Sequence, residues 1–205
     1  MLNSLESPYK GSGQLTREQF LFYEMRTTAR LLAEGLSDQE VKVRIIKENL
    51  FQYPTEKSVE QMARVCIRRL KGLQRVSLIS AVAEMDSITA KQICLYAMMK
   101  DYTLIRDFMI TVIGGKYSQQ DLSYSRRDIT AYLLQLQEQD DYVASWAEST
   151  VKKIVSVITK LLVENEYIDN WKADRLNPVL LSSLVEDAIR ENGDQLMLPA
   201  FNCLN

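Results

Sequence analysis

Four times in its amino-terminal half this chain places a Ser or Thr three residues ahead of a Glu or Gln at the head of a helical period: Thr16 with Gln19, Ser37 with Glu40, Ser58 with Gln61, and Thr89 with Gln92. Such a pair closes two backbone donors at a helix start, the hydroxyl taking one N–H and the longer side chain reaching back to the other. With only seven Gly and four Pro to interrupt them, the segments behind these signals have little choice but helix. The chain is therefore expected to be mainly α.

The expected helices follow from these starts and from the apolar period. The first runs over about 17–34, with Phe20, Tyr23 or Glu24, Thr27, Leu31 and Leu32 along one side, and stops at Gly35. The second covers 38–50. Gln52, Tyr53, Pro54 and Thr55 then connect, because Pro54 lacks an N–H and disfavours helix at Tyr53. A third spans 59–73, and 76–85, 88–99 and 101–113 read as three more, the last closed by Gly114 and Gly115. The polar stretch 116–125 marks a boundary between an amino-terminal helical bundle, 1–116, and a carboxy-terminal half, 117–205. In that half the expected elements are a helix over 126–139, a helix within 145–168, a short strand over 177–181 and a final helix over 184–191 ended by Gly193.

Composition limits the chemistry. The 205 residues contain no histidine, which removes Ser-His-Asp and Cys-His nucleophile systems, HExxH zinc sites and any imidazole general base. Cys66, Cys94 and Cys203 are scattered, without a CxxC pair, which fits a reducing compartment and argues against a zinc knuckle. There is no DxDxDG loop, no GxxxxGK[ST] and no GxGxxG, so no cofactor is expected. Asp140 with Asp141, or Glu164 with Glu166, could in principle hold a divalent ion, but adjacent acids at helix ends are ordinarily just solvated, and no metal is expected. Apolar runs such as 110–113 and 161–163 are far shorter than the roughly 18 residues of a membrane span. The start, MLNSLESPYK, lacks the basic-then-apolar order of a signal peptide. A cytoplasmic protein that does not enter the membrane is expected.

A formal net charge of −2 gives the whole molecule no attraction to nucleic acid, so any such binding must be local. Two helices carry candidate patches. In the segment 61–75, Arg64, Arg68, Lys71 and Arg75 fall at i, i+4, i+7 and i+11 beside Arg69, opposite Val59, Met62, Cys66, Leu70 and Leu73. That stripe suits phosphate, since guanidinium pairs with it through two hydrogen bonds. It equally suits pairing with acids such as Glu24 or Asp86, or a protein partner. The second patch is SWAESTVKKIVSVITKLLVENEYI, where Val151, Ile154, Val155, Ile158, Leu161 and Leu162 form one face and Lys152, Lys153, Ser156, Thr159 and Lys160 are left outside. Ser149 or Thr150 can cap it, which would set free N–H groups beside two lysines. The start, outer face and polar exit of this segment are similar to those of the recognition helix of a winged helix-turn-helix domain. Lys152, Lys153 and Lys160 would take phosphates there, with Ser149, Thr150 and Ser156 nearest base edges. An ordinary surface helix packed on a helical core has the same periodicity. Acids outnumber bases between 125 and 170, which weighs against the nucleic-acid reading unless they occupy another face. Trp146 and Trp171 are expected in cores.

In order and spacing, GQLTREQFLFYEMRTTARLLAEGLS, ENLFQYPTEKS, MARVCIRRLKGL and WAESTVKKIVSVITKLLVENEYI resemble the BrxA family, small accessory proteins of BREX (bacteriophage exclusion) defence systems, over about Tyr9 to Ala188. The resemblance implies a helical bundle partly like the RNA-binding factor NusB, a winged-helix-like carboxy-terminal half with at most a short β hairpin, and binding to double-stranded DNA without a reaction of its own. Other BREX proteins are a second class of partner. The alternatives kept open are a protein adaptor docking such components and an RNA-binding helical protein. The oligomeric state is not legible.

Overall fold

The structure, a computed structural model, describes residues 6–203. Among these there are eleven α-helices and no sheet, so the chain is mainly α. The helices are α1 (Phe22–Ala33), α2 (Asp38–Glu48), α3 (Glu56–Gly72), α4 (Val76–Glu84), α5 (Ser87–Asp101), α6 (Thr103–Phe108), α7 (Gly115–Ser118), α8 (Arg126–Gln139), α9 (Asp141–Ala144), α10 (Glu148–Glu164) and α11 (Ser183–Glu191). A 3₁₀ turn, Ser12–Thr16, precedes α1, and a 3₁₀ segment, Gln195–Phe201, follows α11. The chain divides into two compact units, one of residues 20–101 with 182–188, the other of 6–19, 102–181 and 189–203. This grouping sets 102–116 with the carboxy-terminal helices, where the sequence alone suggested a division after 116.

In the first of these units α1 packs on α2, α3 and α4, and α5 lies against α3 and α4. Val41, Ile45, Val59, Met62, Cys66, Leu70, Val82 and Ile93 are all buried between them. Helix α5 is enclosed on every side from Gln92 to Met99, the pattern of a central helix rather than an amphipathic one. Only one of the four Ser/Thr-x-x-Glu/Gln signals forms the expected box: the Ser37 hydroxyl accepts from Glu40 N at 3.3 Å while the Glu40 carboxylate accepts from Ser37 N at 2.8 Å. Helix α3 starts three residues early because Thr55, not Ser58, accepts from the N–H of Ser58. Helix α5 starts behind Asp86, whose carboxylate accepts from Ile88 N and Thr89 N at 2.9 and 3.0 Å. Gly35 ends the α1 region at φ +87°, a left-handed conformation that suits glycine.

Helix α1 departs most from expectation. The Thr16 hydroxyl donates back to Gly13 O inside the 3₁₀ turn, and Leu21 at φ 58° breaks the path before Phe22. Local capping loses here to tertiary anchoring, since Leu15 and Glu18 are buried and the Tyr102 hydroxyl donates to the Glu18 carboxylate. The inward set of α1 is Met25, Thr28, Ala29 and Leu31, and Tyr23 is exposed.

In the other unit α10 packs on α8 and on the 3₁₀ turn Ser12–Thr16, burying Ile129, Leu133, Ile154, Ile158, Leu161 and Leu162. Helix α8 has the expected bounds, with Ser125 N donating to Asp128 at 2.8 Å. The single helix expected over 101–113 breaks at Tyr102, and past Phe108 it widens into a π turn, Met109–Gly114, that runs on into α7. Gly114 and Gly115 therefore sit inside helical backbone, at φ −63° and −60°, instead of ending it. The reason is packing: the Gln195–Phe201 segment lies on the π turn, and a Cβ on Gly114 would meet Pro199 C and Cβ at 2.9 Å. The extra residue of the π turn presents the one side-chain-free position to that ring. The strand expected over 177–181 does not form. Asn177 N donates to Tyr167 O, its amide donates to Glu166 O and Asp169, and Pro178 has no N–H, so the segment has no hairpin partner strand. A single antiparallel bridge, Ser123 to Arg175, is the β pairing seen among the described residues.

Gly114→Ala is expected to lower the unfolding free energy by about 1–3 kcal/mol, the usual range for overpacking against atoms that cannot move. A urea titration followed by circular dichroism reads this, and an unchanged midpoint would exclude the close approach.

Candidate nucleic-acid interface

On α3 the expected stripe is present as a row of cations but not as a free one. Arg68 donates through Nε and Nη2 to the two carboxylate oxygens of Asp101, both at 2.8 Å. Arg64 pairs with Glu60 one turn earlier, and Lys71 with Asp38 at 2.9 Å. Arg69 is 1% exposed, with Nε 3.3 Å from Asp101 and Nη1 donating to Phe20 O at 3.4 Å, and is an internal cation. Arg75 lies beyond the stripe, because Gln74 at φ 58° ends the helical path and puts Arg75 at the N-cap of α4. The acids that take these cations are not the ones the sequence suggested. Glu24 accepts from the Tyr53 hydroxyl at 2.6 Å, and Asp86 caps α5, the Thr89 N–H above all holding its carboxyl below the usual range.

On α10 the outer face is narrower than expected. Thr159 is fully buried, its hydroxyl returning to Val155 O at 2.7 Å. The N-cap is Ala147, which offers no side chain, and Ser149 and Thr150 stand in the first turn. Glu148 occupies that turn as well and pairs with Lys152 at 2.6 Å. Lys160 reaches Glu164 at 3.4 Å and Gln19 at 3.2 Å. Lys153 is exposed and has no carboxylate partner among the described residues.

A different group of cations is assembled in the same unit. Two backbone hydrogen bonds, Tyr124 N to Asp174 O and Leu176 N to Leu122 O, each 2.8 Å, fasten the 170s segment to the strand-like stretch just before α8. At the start of α8, Arg126 donates from Nη2 to Ser156 Oγ on α10 at 2.9 Å, and its guanidinium lies over the Trp171 ring, 5.8 Å from the centroid. Trp171 is 49% exposed and is not the core anchor expected of it. Arg127, Lys153, Lys172 and Arg175 are exposed, and among the described residues neither they nor Arg126 have a carboxylate partner. Two neighbouring acids are engaged otherwise: Asp128 closes the α8 cap and faces Lys116 at 3.5 Å, and Asp169 accepts from Asn177. The sequence held Arg126 and Arg127 in plain view but only as terms in a charge count, and no local signal marked Trp171 as exposed.

Nucleophilic chemistry finds little support in the thiols. Burial pushes Cys66 up to about 12, and Cys94 is raised for the same reason. Among the described residues no three metal-ligating side chains cluster.

A mainly α-helical protein with exposed basic residues on α8, on α10 and in the 170s segment, and no cluster of three metal-ligating side chains among its described residues, defines the class. Within it, the BrxA family model matches residues 8–193, and the chain belongs to the BrxA family. It is 32% identical over 194 residues to a Bacillus cereus protein named BREX protein BrxA, covering 94% of this chain and 96% of that one. A Paramagnetospirillum magneticum protein of the same name is 27% identical over 175 residues, covering 85% and 87%. A crystal structure of an uncharacterized protein from Magnetospirillum magneticum superposes with a TM-score of 0.79 at 26% identity, covering 95% of this chain and 98% of that one.

Two measurements test this assignment of charges. Asp101→Ala, which leaves the buried Arg69 without its carboxylate, is expected to cost about 3–5 kcal/mol in a denaturant titration, while Arg64→Ala and Lys71→Ala move the midpoint little. With a chromogenic disulfide reagent, the half-buried Cys203 should react quickly in native protein and Cys66 and Cys94 only on unfolding. Three equally fast thiols in the native state would contradict the burial.

Proposed function

We propose that this chain is a DNA-binding accessory component of a BREX phage-defence system, acting without a reaction of its own. Membership of the BrxA family and the relatives' name, BREX protein BrxA, support the system. The observation that carries DNA contact is the set of cations without carboxylate partners among the described residues, Arg126, Arg127, Lys153, Lys172 and Arg175, in one unit of a protein whose net charge is negative. Phosphates fill the need those groups have for a counter-charge, and each contact releases condensed ions from the duplex. Lys152 and Lys160 join them by exchanging exposed i,i+4 partners, which are weakly held. Ser149, Thr150 and Ser156 lie along the same helix. The α3 row contributes least, because Arg69 is buried and Arg68 is held by both oxygens of Asp101, a carboxylate only 13% exposed. No helix among the described residues is long and apolar enough to cross a membrane, and a cytoplasmic site of action is part of the proposal.

A second reading, an adaptor docking other BREX components, is favoured by the exposed apolar side chains Val43, Val76 and Ile88, exposed by 50%, 79% and 58%. The two readings separate in one titration. Affinity for a mixed-sequence duplex, measured by fluorescence anisotropy against salt, is expected to fall log-linearly. Replacing Arg127, Lys153 and Lys172 together by Ala should weaken binding at least about tenfold and reduce the salt slope by about 2–3. Replacing Arg64, Arg68 and Lys71 should change neither by much. Salt-independent binding, or no effect of the first triple variant, would exclude phosphate contact at this surface.

A further inference from the structure

Trp171 is the feature that duplex contact alone leaves without a role. Its ring is 49% exposed, yet it is not loose: the Arg126 guanidinium lies over it, and Arg126 is itself held by Ser156 Oγ at 2.9 Å. Helix α8, helix α10 and the 170s segment each supply one member of the trio. A flat indole backed by a fixed guanidinium is a surface onto which another planar ring stacks, with dispersion from the indole and a cationic edge from the arginine. Several basic residues lie near it in the sequence or on the same helices, and Lys152 among them pairs with Glu148. Arg127 follows Arg126, Lys172 follows Trp171, and Lys152 and Lys153 lie within one turn of Ser156 on α10. The neighbouring Asp128 and Asp169 are occupied by the α8 cap and by Asn177. An exposed aromatic ring under a guanidinium, with further basic residues next to it in the sequence and on α10, fits a nucleotide strand better than it fits a peptide or a lipid surface.

We propose that the Arg126–Trp171–Ser156 trio is a stacking platform for an unpaired nucleobase, so that this surface takes single-stranded DNA, or a strand opened from a duplex, rather than duplex backbone alone. Trp171 stacks the base, Arg126 orients the indole and supplies the cationic edge, and the surrounding lysines and arginines hold the flanking phosphates. The inference rests on the nucleic-acid reading above and narrows its ligand.

The test uses the full chain with a Trp146→Phe background, so that Trp171 is the only indole reporter, and two probes: an oligothymidylate of about 20 nucleotides, longer than the ~4–16-nucleotide footprint of a common single-strand module, and a mixed-sequence duplex of like length. Binding of oligothymidylate is expected to quench Trp171 emission. In the anisotropy assay Trp171→Ala should weaken oligothymidylate binding between about 5-fold and about 150-fold, as loss of one base–aromatic stack does, while duplex affinity changes by less than about twofold. Trp171→Phe, which keeps a stacking ring, should recover most of the loss, and that recovery separates stacking from a fold defect. Equal losses on both probes, or bound oligothymidylate with unquenched emission, would overturn the platform. So would Trp171 emission that shifts with protein concentration alone, which would mean that a second copy covers the ring. Duplex binding without oligothymidylate binding sinks this inference and leaves the broader reading standing; binding of neither probe sinks both.

Discussion

A guanidinium cannot be left bare inside a protein, and the burial of Arg69 dictates how charge is distributed along α3. Asp101, at the end of α5, supplies the counter-charge to Arg69, and the same carboxylate receives two hydrogen bonds from Arg68. One acid thereby fastens α3 to α5 and neutralises the centre of what would otherwise be a phosphate-tracking stripe. Lys71 and Arg64 complete the pattern by meeting Asp38 on α2 and Glu60 on α3. The most basic helix in the sequence is thus scaffold, and the groups left seeking anions lie at the start of α8, along α10 and in the 170s segment.

Much of the fold was legible because most helices are bounded by interactions close in sequence. Helix α8 begins behind Ser125 and ends at Gln139 as its period and cap require, and α2 begins with the Ser37–Glu40 box. Where the reading slipped, a distant partner overruled a local signal. Thr16 belongs to a 3₁₀ turn because Glu18 is drawn inward to Tyr102, 84 residues away. Gly114 reads as a helix stop from sequence, but Pro199 needs a place to rest, and the helix widens into a π turn to provide one. The wing strand was inferred from five residues with strand-like composition, and Asn177 turns the chain back to Tyr167 and Asp169 instead.

The site was less legible, for a physical reason. Periodicity tells which side of a helix is wet, and it did so for Lys152, Lys153, Ser156 and Lys160, though Thr159 proved buried. It carries no information on which acid each base will meet. Arg64 and Arg127 look alike in the sequence; one has Glu60 a turn away on the same helix, and the guanidinium of the other makes no ion pair among the described residues. Of the acids between 125 and 170, Asp128 and Asp169 point into hydrogen bonds of the fold, which a count of charges does not reveal. Trp171 was assigned to a core on residue type alone, whereas a guanidinium over its face can stabilise an indole half in water.

The small net charge and the local cations are compatible because fields at the surface are short-ranged. At physiological ionic strength the screening length is about 8 Å, so a phosphate near Arg126 feels Arg127 and the α10 lysines and little of the acidic remainder. Such a surface gains from rigidity. Arg126 is already held by Ser156 and Trp171 before any ligand arrives, so part of the ordering cost of a long flexible side chain falls on folding instead of on binding. Arg127, Lys153, Lys172 and Arg175 are long, exposed side chains, a kind that can follow an irregular backbone. A fixed centre with adaptable cations around it favours ligands that share a planar ring and a phosphate chain over those that share only charge, and this is the sense in which a slightly acidic helical protein can still be selective for nucleic acid.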